Sequence, residues 1–268
     1  MQFYSIFLAA SDNSNLGRVD KASLSTETLM QMFIQGIENK GVICGSREEP
    51  ADVDKWRGFA YSREQRVELV EKHFSFCWYN LQLVGTIDLQ WLPPTIRSLF
   101  ICESKLTGSL NLTALPPSIH VLDCPDNEFS GEIDLCHLPA KLKMLHLSKN
   151  QLSGSLNLEK LPQSIQRLHL HENQFSGTVC LRYLPPNLAE LSVEENDLSG
   201  TVDLTRLPAT MQALGLHKNR FRGETDFTQL PGRLEELDIS YTNLSGKIVA
   251  RNRTTHFYVK HSNVDVIK

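Results

Sequence analysis

Apolar and polar residues alternate in short runs throughout the middle of the chain. The run LHL at 145–147 is one example, and a second apolar alternation, LNL at 156–158, follows it. Successive side chains of a β-strand point to opposite faces, so a period of two in the first run predicts a short strand with one buried face. The pattern therefore predicts a mainly β protein built from short strands.

These alternations recur with a fixed period of 23, as from Leu138 to Leu161. A Leu-Pro pair opens each step, and seven copies without insertion or deletion cover residues 92–252. Shortly after the LxL run comes an asparagine in five copies, and an apolar residue and a glycine follow in all seven. The asparagines are Asn127, Asn150, Asn173, Asn196 and Asn219, and the glycines are Gly108, Gly131, Gly154, Gly177, Gly200, Gly223 and Gly246.

Each recurring residue meets a requirement of stacked turns. One such short turn cannot bury its own leucines, but successive turns can share one core. The asparagine amide can donate to and accept from backbone groups of neighbouring turns, which burial would otherwise leave unpaired. The glycine allows a tight bend with a positive φ. Because proline cannot donate to a ladder, the Leu-Pro pair belongs on the convex side or at a corner.

The consensus LxxLxLxxNxLSGxLxLxxLPxx resembles the leucine-rich repeat family, and its LSG element is most similar to the plant-type and protozoan branches. The resemblance covers about 160 of the 268 residues. It implies an α/β-type repeat solenoid, mostly β: a right-handed, curved superhelix with a parallel sheet on its concave side and a helical N-terminal cap. Three positions depart from the pattern. Ser104 and Thr242 replace the asparagine in the first and last copies, and Cys124 replaces an inward aliphatic, where it acts as a small buried hydrophobe.

Both ends of such a coil need a cover, because an uncovered end exposes the core. Residues 80–91 fit the second half of a further turn, and a shift of one period places Phe76 and Trp78 inward on a first strand at 75–79. We therefore divide the chain into three parts. They are an N-terminal helical cap with the first strand at 1–79, a solenoid of a half repeat and seven repeats at 80–252, and a C-terminal cap or tail at 253–268.

The sequence of the cap predicts an amphipathic helix upstream of the first strand. Leu29, Phe33 and Ile37 are evenly spaced at a helical interval, and Gly41 is expected to end this helix. The order of helix, Trp56-Arg57-Gly58, strand and repeats is similar to the cap of plant-type family members. In those proteins paired cysteines flank the Trp-x-Gly segment, whereas here none is nearby. In the tail, Phe257, Val259 and Val264 alternate as in an edge strand, and Lys260 and His261 provide a polar cover.

The composition favours a folded protein, and the cysteines favour a cytoplasmic one. The apolar fraction is 41%, the net charge is −4, and the six cysteines form no CxxC pair or zinc-finger spacing, as expected of reduced thiols. The start, MQFYSIFLAAS, has no positive charge before Arg18, unlike a secretory signal, and no apolar run is long enough to predict a membrane helix. The alternative is a secreted or cell-surface protein, in which the sequons at Asn111, Asn243 and Asn252 would carry glycans.

Residues beside the buried leucines of each LxL strand point away from the core, and we call the surface that they form the acidic face. Its four columns of side chains contain nine acidic residues against three Lys or Arg, a net charge of −6. Such a surface repels phosphates, so we expect no nucleic acid and favour a basic or mixed protein surface as the partner. The predicted contact residues are Phe100, Asp123, Met144, His146, Arg167, His169, His171, Glu190, Glu194, Glu195, His217, Glu236, Asp238 and Tyr241.

Two groups on the acidic face are candidates for specific chemistry. His146, His169 and His171 fall on adjacent strands, about 5 to 7 Å apart. With Glu194 nearby they could bind zinc or sense pH near the ordinary histidine pKa of ~6.5, or they are simply polar side chains on a solvated sheet. The apolar residues are either anchors for a partner or scattered surface residues; they are Phe100, Val121, Met144 and Tyr241.

No motif of a nucleotide-binding loop, a serine hydrolase or a zinc protease occurs in the sequence. We therefore expect a non-catalytic, monomeric protein–protein interaction module, with no cofactor and no membrane partner, that binds a protein or peptide on the acidic face. The alternative is a secreted or cell-surface receptor-like protein that recognises a peptide or glycan. A third class, the enzyme-associated targeting modules of bacterial effectors, also has repeats that begin with Leu-Pro, but those repeats are shorter and lack LSG.

Overall fold

Strands dominate the computed structural model, which describes residues 20–61, 74–249 and 255–267. The first ten, in chain order, are β1 (Phe59–Tyr61), β2 (Phe74–Tyr79), β3 (Val84–Thr86), β4 (Ile96–Cys102), β5 (Lys105–Gly108), β6 (Val121–Asp123), β7 (Glu128–Glu132), β8 (Met144–His146), β9 (Gln151–Ser155) and β10 (Arg167–His169). The others are β11 (Gln174–Thr178), β12 (Glu190–Ser192), β13 (Asp197–Gly200), β14 (Ala213–Gly215), β15 (Arg220–Glu224), β16 (Glu236–Asp238), β17 (Asn243–Val249), β18 (His256–Tyr258) and β19 (Asn263–Ile267).

Two sheets run along the whole coil. The ten-stranded sheet has the order β1-β2-β4-β6-β8-β10-β12-β14-β16-β18, and the nine-stranded sheet runs from β19 back to β3 through the odd-numbered strands. Each turn contributes one strand to each sheet, and all the neighbours pair in parallel except β1 with β2. The predicted parallel-sheet solenoid is therefore confirmed, with about nine turns and little helix.

The interior is one continuous apolar core that extends from Met30 to Val264. The LxL leucines lie directly opposite one another, since Leu168 pairs with Leu145 on one side and with Leu191 on the other. A second interior column alternates leucine with fully buried phenylalanine; it consists of Leu106, Phe129, Leu152, Phe175, Leu198, Phe221 and Leu244. Because successive turns bury these side chains against each other, no turn has a core of its own.

The repeated asparagines join each turn to the one before it. Asn150 Oδ1 accepts a hydrogen bond from Phe129 N at 3.0 Å, and Asn150 Nδ2 donates to Cys124 O at 3.1 Å. The same pattern holds at Asn127, Asn173, Asn196 and Asn219. At the start of the coil Ser104 Oγ takes the accepting role, from Leu83 N at 3.2 Å. The amides thus pair backbone groups that a buried bend would otherwise leave without partners.

Among the glycines that follow an LS or FS pair, Gly200 has two functions. Gly200 has a φ of 87°, which a side chain strains. A Cβ on Gly200 would also lie 2.9 Å from Thr178 Cγ2 of the preceding turn. The missing side chain therefore allows both the bend and the close stacking of turns.

The N-terminal helix is shorter than predicted. Helix α1 spans Thr26–Phe33, with Ser25 Oγ accepting from Thr28 N at 3.1 Å, and a second short helix, α2, spans Gly41–Cys44. The prediction that Gly41 ends the first helix is wrong, because residues 36–38 leave it to pair with β3. Thr86 N donates to Gly36 O, and Glu38 N donates to Val84 O at 2.8 Å. A Cβ at Gly36 would collide with Thr86 Oγ1, so glycine permits this contact.

Aromatic residues close the N-terminal end of the core. The first strand of the coil is β2, and its Phe76 and Trp78 are fully buried. Trp78 Nε1 donates to Arg57 O at 2.8 Å, and Trp56 Nε1 donates to Ala51 O at 2.7 Å. Four 3-10 helices complete the described elements: Lys21–Ser23, Val53–Lys55, Leu89–Trp91 and Leu112–Ala114. Among the described residues the longest helix is α1, which is too short to cross a bilayer.

The tail continues both sheets with a shorter turn. Strand β18 is the edge of the ten-stranded sheet, where Phe257 lies beside Leu237, and Val264 in β19 lies beside Gly246. The step from Leu237 to Phe257 is shorter than the step from Leu214 to Leu237, so the earlier spacing no longer locates the strands. The proposed boundary at 252/253, the sequon at Asn252 and the segment MQFYSIFLAAS lie outside the described residues.

Candidate binding face

The ten-stranded sheet places the side chains of the acidic face in straight rows. In β8, β10, β12 and β14 the central leucine is buried and both neighbours point outward. Parallel register sets Arg167 beside Met144 and Glu190, and His169 beside His146 and Ser192. Since no strand is displaced along its neighbour, the outward residues of successive turns form one continuous surface.

The four predicted columns differ in exposure. One column consists of the residues that directly follow the second buried residue of each LxL run. Three of its members, Cys102, Ser148 and Ser240, are themselves buried, so they contribute little to the surface. The last column lies at the rim, and all its members have a positive φ of 49–55° although none is glycine: Glu103, Asp126, Lys149, Glu172, Glu195, Lys218 and Tyr241. That conformation costs about 1–2 kcal/mol for a residue with a side chain. The backbone pairing of neighbouring turns maintains it, as when Asp126 N donates to Ser148 O.

Three histidines come together near the centre of the acidic face, as their spacing predicts. The ring centroid of His146 lies 5.1 Å from that of His169 and 6.0 Å from that of His171, and the latter two are 6.5 Å apart. Their side chains are mostly covered, with exposures of 20–23%. Among the residues that the structure describes, no three His, Cys, Asp or Glu side chains are arranged to hold a metal ion.

The ring nitrogens contact carboxylates and hydroxyls. His146 Nδ1 lies 3.0 Å from Asp123 Oδ1, and His146 Nε2 lies 2.5 Å from Ser148 Oγ. His169 Nε2 lies 3.1 Å from Glu190 Oε2. A carboxylate can only accept, so His169 Nε2 donates the hydrogen bond to Glu190.

The third clustered histidine, His171, and one more, His217, also lie beside hydroxyls or carboxylates. Ser192 Oγ lies 2.9 Å from His171 Nδ1 and 2.6 Å from Glu194 Oε1. The Ser192 hydroxyl donates its one proton to Glu194 Oε1, so it accepts a hydrogen bond from His171 Nδ1. His217 Nδ1 lies 3.1 Å from Asp238 Oδ2, at an angle that forms no hydrogen bond.

Burial keeps two of these rings neutral at physiological pH. Desolvation lowers the pKa of His169, and the adjacent His146 lowers it further, while Glu190 opposes the shift. Desolvation also lowers the pKa of His171, against the opposing charge of Glu194. A neutral histidine adds no positive charge to the carboxylate beside it.

All three cations of the acidic face are already paired with its carboxylates. Lys218 Nζ lies 2.7 Å from Glu195 Oε1, Arg167 Nε lies 3.3 Å from Glu190 Oε1, and Lys149 Nζ lies 3.8 Å from Glu172 Oε1. Such half-exposed pairs stabilise a fold by only about 0–1 kcal/mol each. Their main consequence is for the surface charge, because the remaining carboxylates have no Lys or Arg of the face to neutralise them.

The predicted apolar residues lie on the same surface. Phe100, Val121 and Met144 are partly buried in the first turns, and Tyr241 lies at the other end, 47% exposed, with its ring 4.6 Å from that of His261. The prediction missed residues on the two outer strands. Tyr79 of β2 and Tyr258 of β18 also point outward and are about half exposed. Counting back one repeat of 23 residues from Cys102 would have identified Tyr79. The same counting cannot locate Tyr258, because the step from Leu237 to Phe257 is shorter than the other repeats.

The sequence matches no protein-family model and no curated protein. Among solved structures, the chain is similar to YopM from Yersinia enterocolitica WA-314, with 29% identity, a TM-score of 0.52, and coverage of 66% of this chain and 36% of YopM. It is also similar to a plant ice-binding protein, with 17% identity, a TM-score of 0.54, and coverage of 90% and 94%.

A third similar structure is the LRR ectodomain of the plant membrane receptor kinase GASSHO1/SCHENGEN3 from Arabidopsis thaliana, solved in complex with CASPARIAN STRIP INTEGRITY FACTOR 2. The identity is 18%, the TM-score is 0.52, and the coverage is 90% of this chain and 36% of that one. The chain thus spans about a third of the length of YopM and of this ectodomain. These similarities, together with the two sheets and their register, show that the chain has the parallel-sheet solenoid fold seen in leucine-rich repeat structures.

Proposed function

We propose that this solenoid is a non-catalytic, monomeric interaction module that binds a basic or mixed surface of another protein or peptide on the concave side, with the acidic face as the contact surface. The observation that carries the proposal is the unbalanced charge of that face. Nine carboxylates share three Lys or Arg residues, and each of those cations already has a partner. Charge of this kind accelerates the encounter with a basic partner and excludes acidic ones.

The shape of the face supports the same proposal. Rows of side chains in register over many turns form a broad surface, and Phe100, Met144 and Tyr241 supply apolar contacts at its two ends. Interfaces usually depend on a few such anchors within a polar surround. A nucleic acid is a poor fit, because its phosphates need clustered cations.

We also propose a cytoplasmic location. All six cysteines are free thiols, and Cys44, Cys102 and Cys124 are buried. Burial raises the pKa of Cys102 to about 12, with Asp123 adding to the shift, so this thiol resists ionisation and oxidation. The alternative, a secreted or cell-surface receptor-like protein for a peptide or glycan, predicts glycans on Asn111 or Asn243. The intact mass of the native protein separates the two, since added hexose or a missing amino terminus supports the alternative.

The proposed function is tested by charge reversal. A triple variant, Glu103→Lys, Asp126→Lys and Glu172→Lys, changes the acidic face by six charges. A matched control, Glu128→Lys, Glu132→Lys and Glu224→Lys, makes the same change at exposed positions of the nine-stranded sheet. Each variant is crosslinked to its partners in cell lysate, and the partners are identified by mass spectrometry. We expect the control variant to capture the same partner as the wild-type protein and the face variant to capture none of it. Equal recovery by both variants would place the binding surface elsewhere.

A further inference from the structure

A hollow of about 160 Å³ lies on the acidic face over β12 and β14. At these positions the sheet carries its smallest outward side chains. Ala213 and Gly215 are the outward residues of β14, and Ser192 lies directly beside Gly215 on β12. In the neighbouring turns the same columns carry residues as large as Arg167 and His169, so the floor of the hollow is lower than the surface around it.

The walls of the hollow are carboxylates. Glu190 and Glu236 lie on either side of Ala213 in one row across three strands, about 10 Å apart at the spacing of parallel strands. Glu194 lies over the neighbouring row, which contains Ser192 and Gly215. His169 is the other titratable residue that lines the hollow. Arg167 and His169 occupy the two oxygens of Glu190, whereas Glu236 is exposed and forms no ion pair within the described part of the chain.

Glu194 leans into the space that Gly215 leaves. A Cβ built on Gly215 would collide with Glu194 Oε2, so any side chain there would displace the carboxylate. Ser192 Oγ donates to Oε1 at 2.6 Å. The other oxygen, Oε2, is shielded from solvent and has no hydrogen-bond partner among the described residues. A buried carboxylate oxygen without a donor is costly, and a ligand that brings a donor removes that cost.

We propose that this hollow receives a lysine or arginine side chain of the partner. The proposal rests on the proposed function and names the kind of residue that the acidic face selects. Charge complementarity carries it: three carboxylates and one imidazole surround the hollow, and no Lys or Arg lines it. An ammonium has three donors and a guanidinium has five, enough for the carboxylates of Glu194 and Glu236 together once Glu194 turns its shielded oxygen toward the ligand. The low floor over Ala213 leaves room for the aliphatic stem of either side chain.

The test uses a lysine hexapeptide as the probe, an arginine hexapeptide as a second cation, and a serine hexapeptide as the uncharged reference. Binding to the full chain is measured by calorimetry at low ionic strength. Ala213→Leu fills the hollow without changing any charge, and Glu236→Gln removes one of its charges without changing its shape. We expect each variant to weaken binding of the cationic peptides about tenfold, and we expect no binding of the serine peptide.

Two matched controls make the same kinds of change away from the acidic face, and Ala213→Leu, which alters no charge, separates the hollow from the general charge of the face. Ala209→Leu enlarges an exposed side chain outside both sheets, and Glu128→Gln removes an exposed carboxylate from the nine-stranded sheet. Both should retain affinity within about twofold. The proposal is overturned if the wild-type protein binds no cationic peptide, or if Ala213→Leu and Glu236→Gln cost no more than their controls. If the hexapeptide test fails while the charge-reversal test succeeds, the acidic face remains the binding surface and only the proposed role of the hollow is rejected.

Discussion

The interior of the coil and the acidic face are formed by the same strands, yet their sequences follow different rules. Leu145, Leu168, Leu191 and Leu214 repeat one residue at one interior position, and the asparagines and glycines repeat likewise. At the next position along each strand, the outward side chains are His146, His169, Ser192 and Gly215. Such an interior column keeps one environment in every turn, so one residue, or an alternation of leucine with phenylalanine, satisfies all its positions. Outward positions have no shared requirement from packing, and their differences are available for recognition.

The largest effect that distinguishes the two regions should come from truncating an aromatic ring. Phe175→Ala leaves a cavity between turns, and we expect the free energy of unfolding to fall by about 3–5 kcal/mol. Tyr241→Ala on the acidic face, where the ring is half exposed, should cost about 1 kcal/mol at most. Urea unfolding followed by far-UV circular dichroism measures both. Similar losses for the two variants would contradict the distinction between interior and face.

The asparagine column should show the next largest effect. Asn150→Ala removes the hydrogen bonds to Phe129 N and to the carbonyls of Cys124, Leu147 and Ser148. We expect a loss of about 1–3 kcal/mol, because the backbone groups stay buried without partners. Lys149→Ala, next in the chain but half exposed, should change the unfolding free energy by less than about 0.5 kcal/mol. A neutral Asn150→Ala would mean that water or local rearrangement replaces the amide.

The interior was predictable because each repeated residue meets a local requirement that recurs in every turn. The amide of Asn150 and the positive φ of Gly200 follow from the bend and from burial, and those are properties of a single turn. The end of α1 was not predictable in this way. The helical spacing of Leu29, Phe33 and Ile37 continues past the end of the helix, and only the distant strand β3 explains why the chain departs at Gly36. The shortened step before β18 likewise follows no repeat.

The acidic face was predictable in position but not in detail. Alternation within each strand identified the outward residues, and the charge count followed directly from them. The ion pairs and the hollow could not be derived, because they depend on which way long side chains such as Glu190 and Glu194 turn between neighbours. The left-handed conformation of the rim, as at Glu172, was also hidden, since no glycine or asparagine marks it in the sequence.

Substitutions at residues with a positive φ should change the free energy of unfolding by a smaller amount, and in opposite directions in the two regions. Gly200→Ala forces a side chain into the left-handed region and against Thr178, so it should cost about 1–2 kcal/mol. Glu172→Gly relieves the same conformation at the rim and should leave the free energy of unfolding unchanged or raise it by up to about 1 kcal/mol. Gly232→Ala, with open space around its Cβ, is the control and should be neutral. Urea unfolding compares the three variants. If Glu172→Gly destabilised the fold as strongly as Gly200→Ala, the rim side chains would be structural.

The smallest effect concerns the pH dependence of stability, where the two regions meet at the half-buried histidines. The pKa of His169 is lower in the folded protein than its ordinary value of 6.5, because burial and His146 disfavour the charged ring. The unfolded chain therefore binds more protons as the pH falls below 6.5, and stability declines from there until the pH reaches the folded pKa. His169→Gln should make the unfolding free energy less dependent on pH between about 7.5 and 5.5. Urea unfolding at the two pH values measures the difference. A steeper slope in His169→Gln would mean that Glu190 outweighs burial and that the folded protein favours the charged ring.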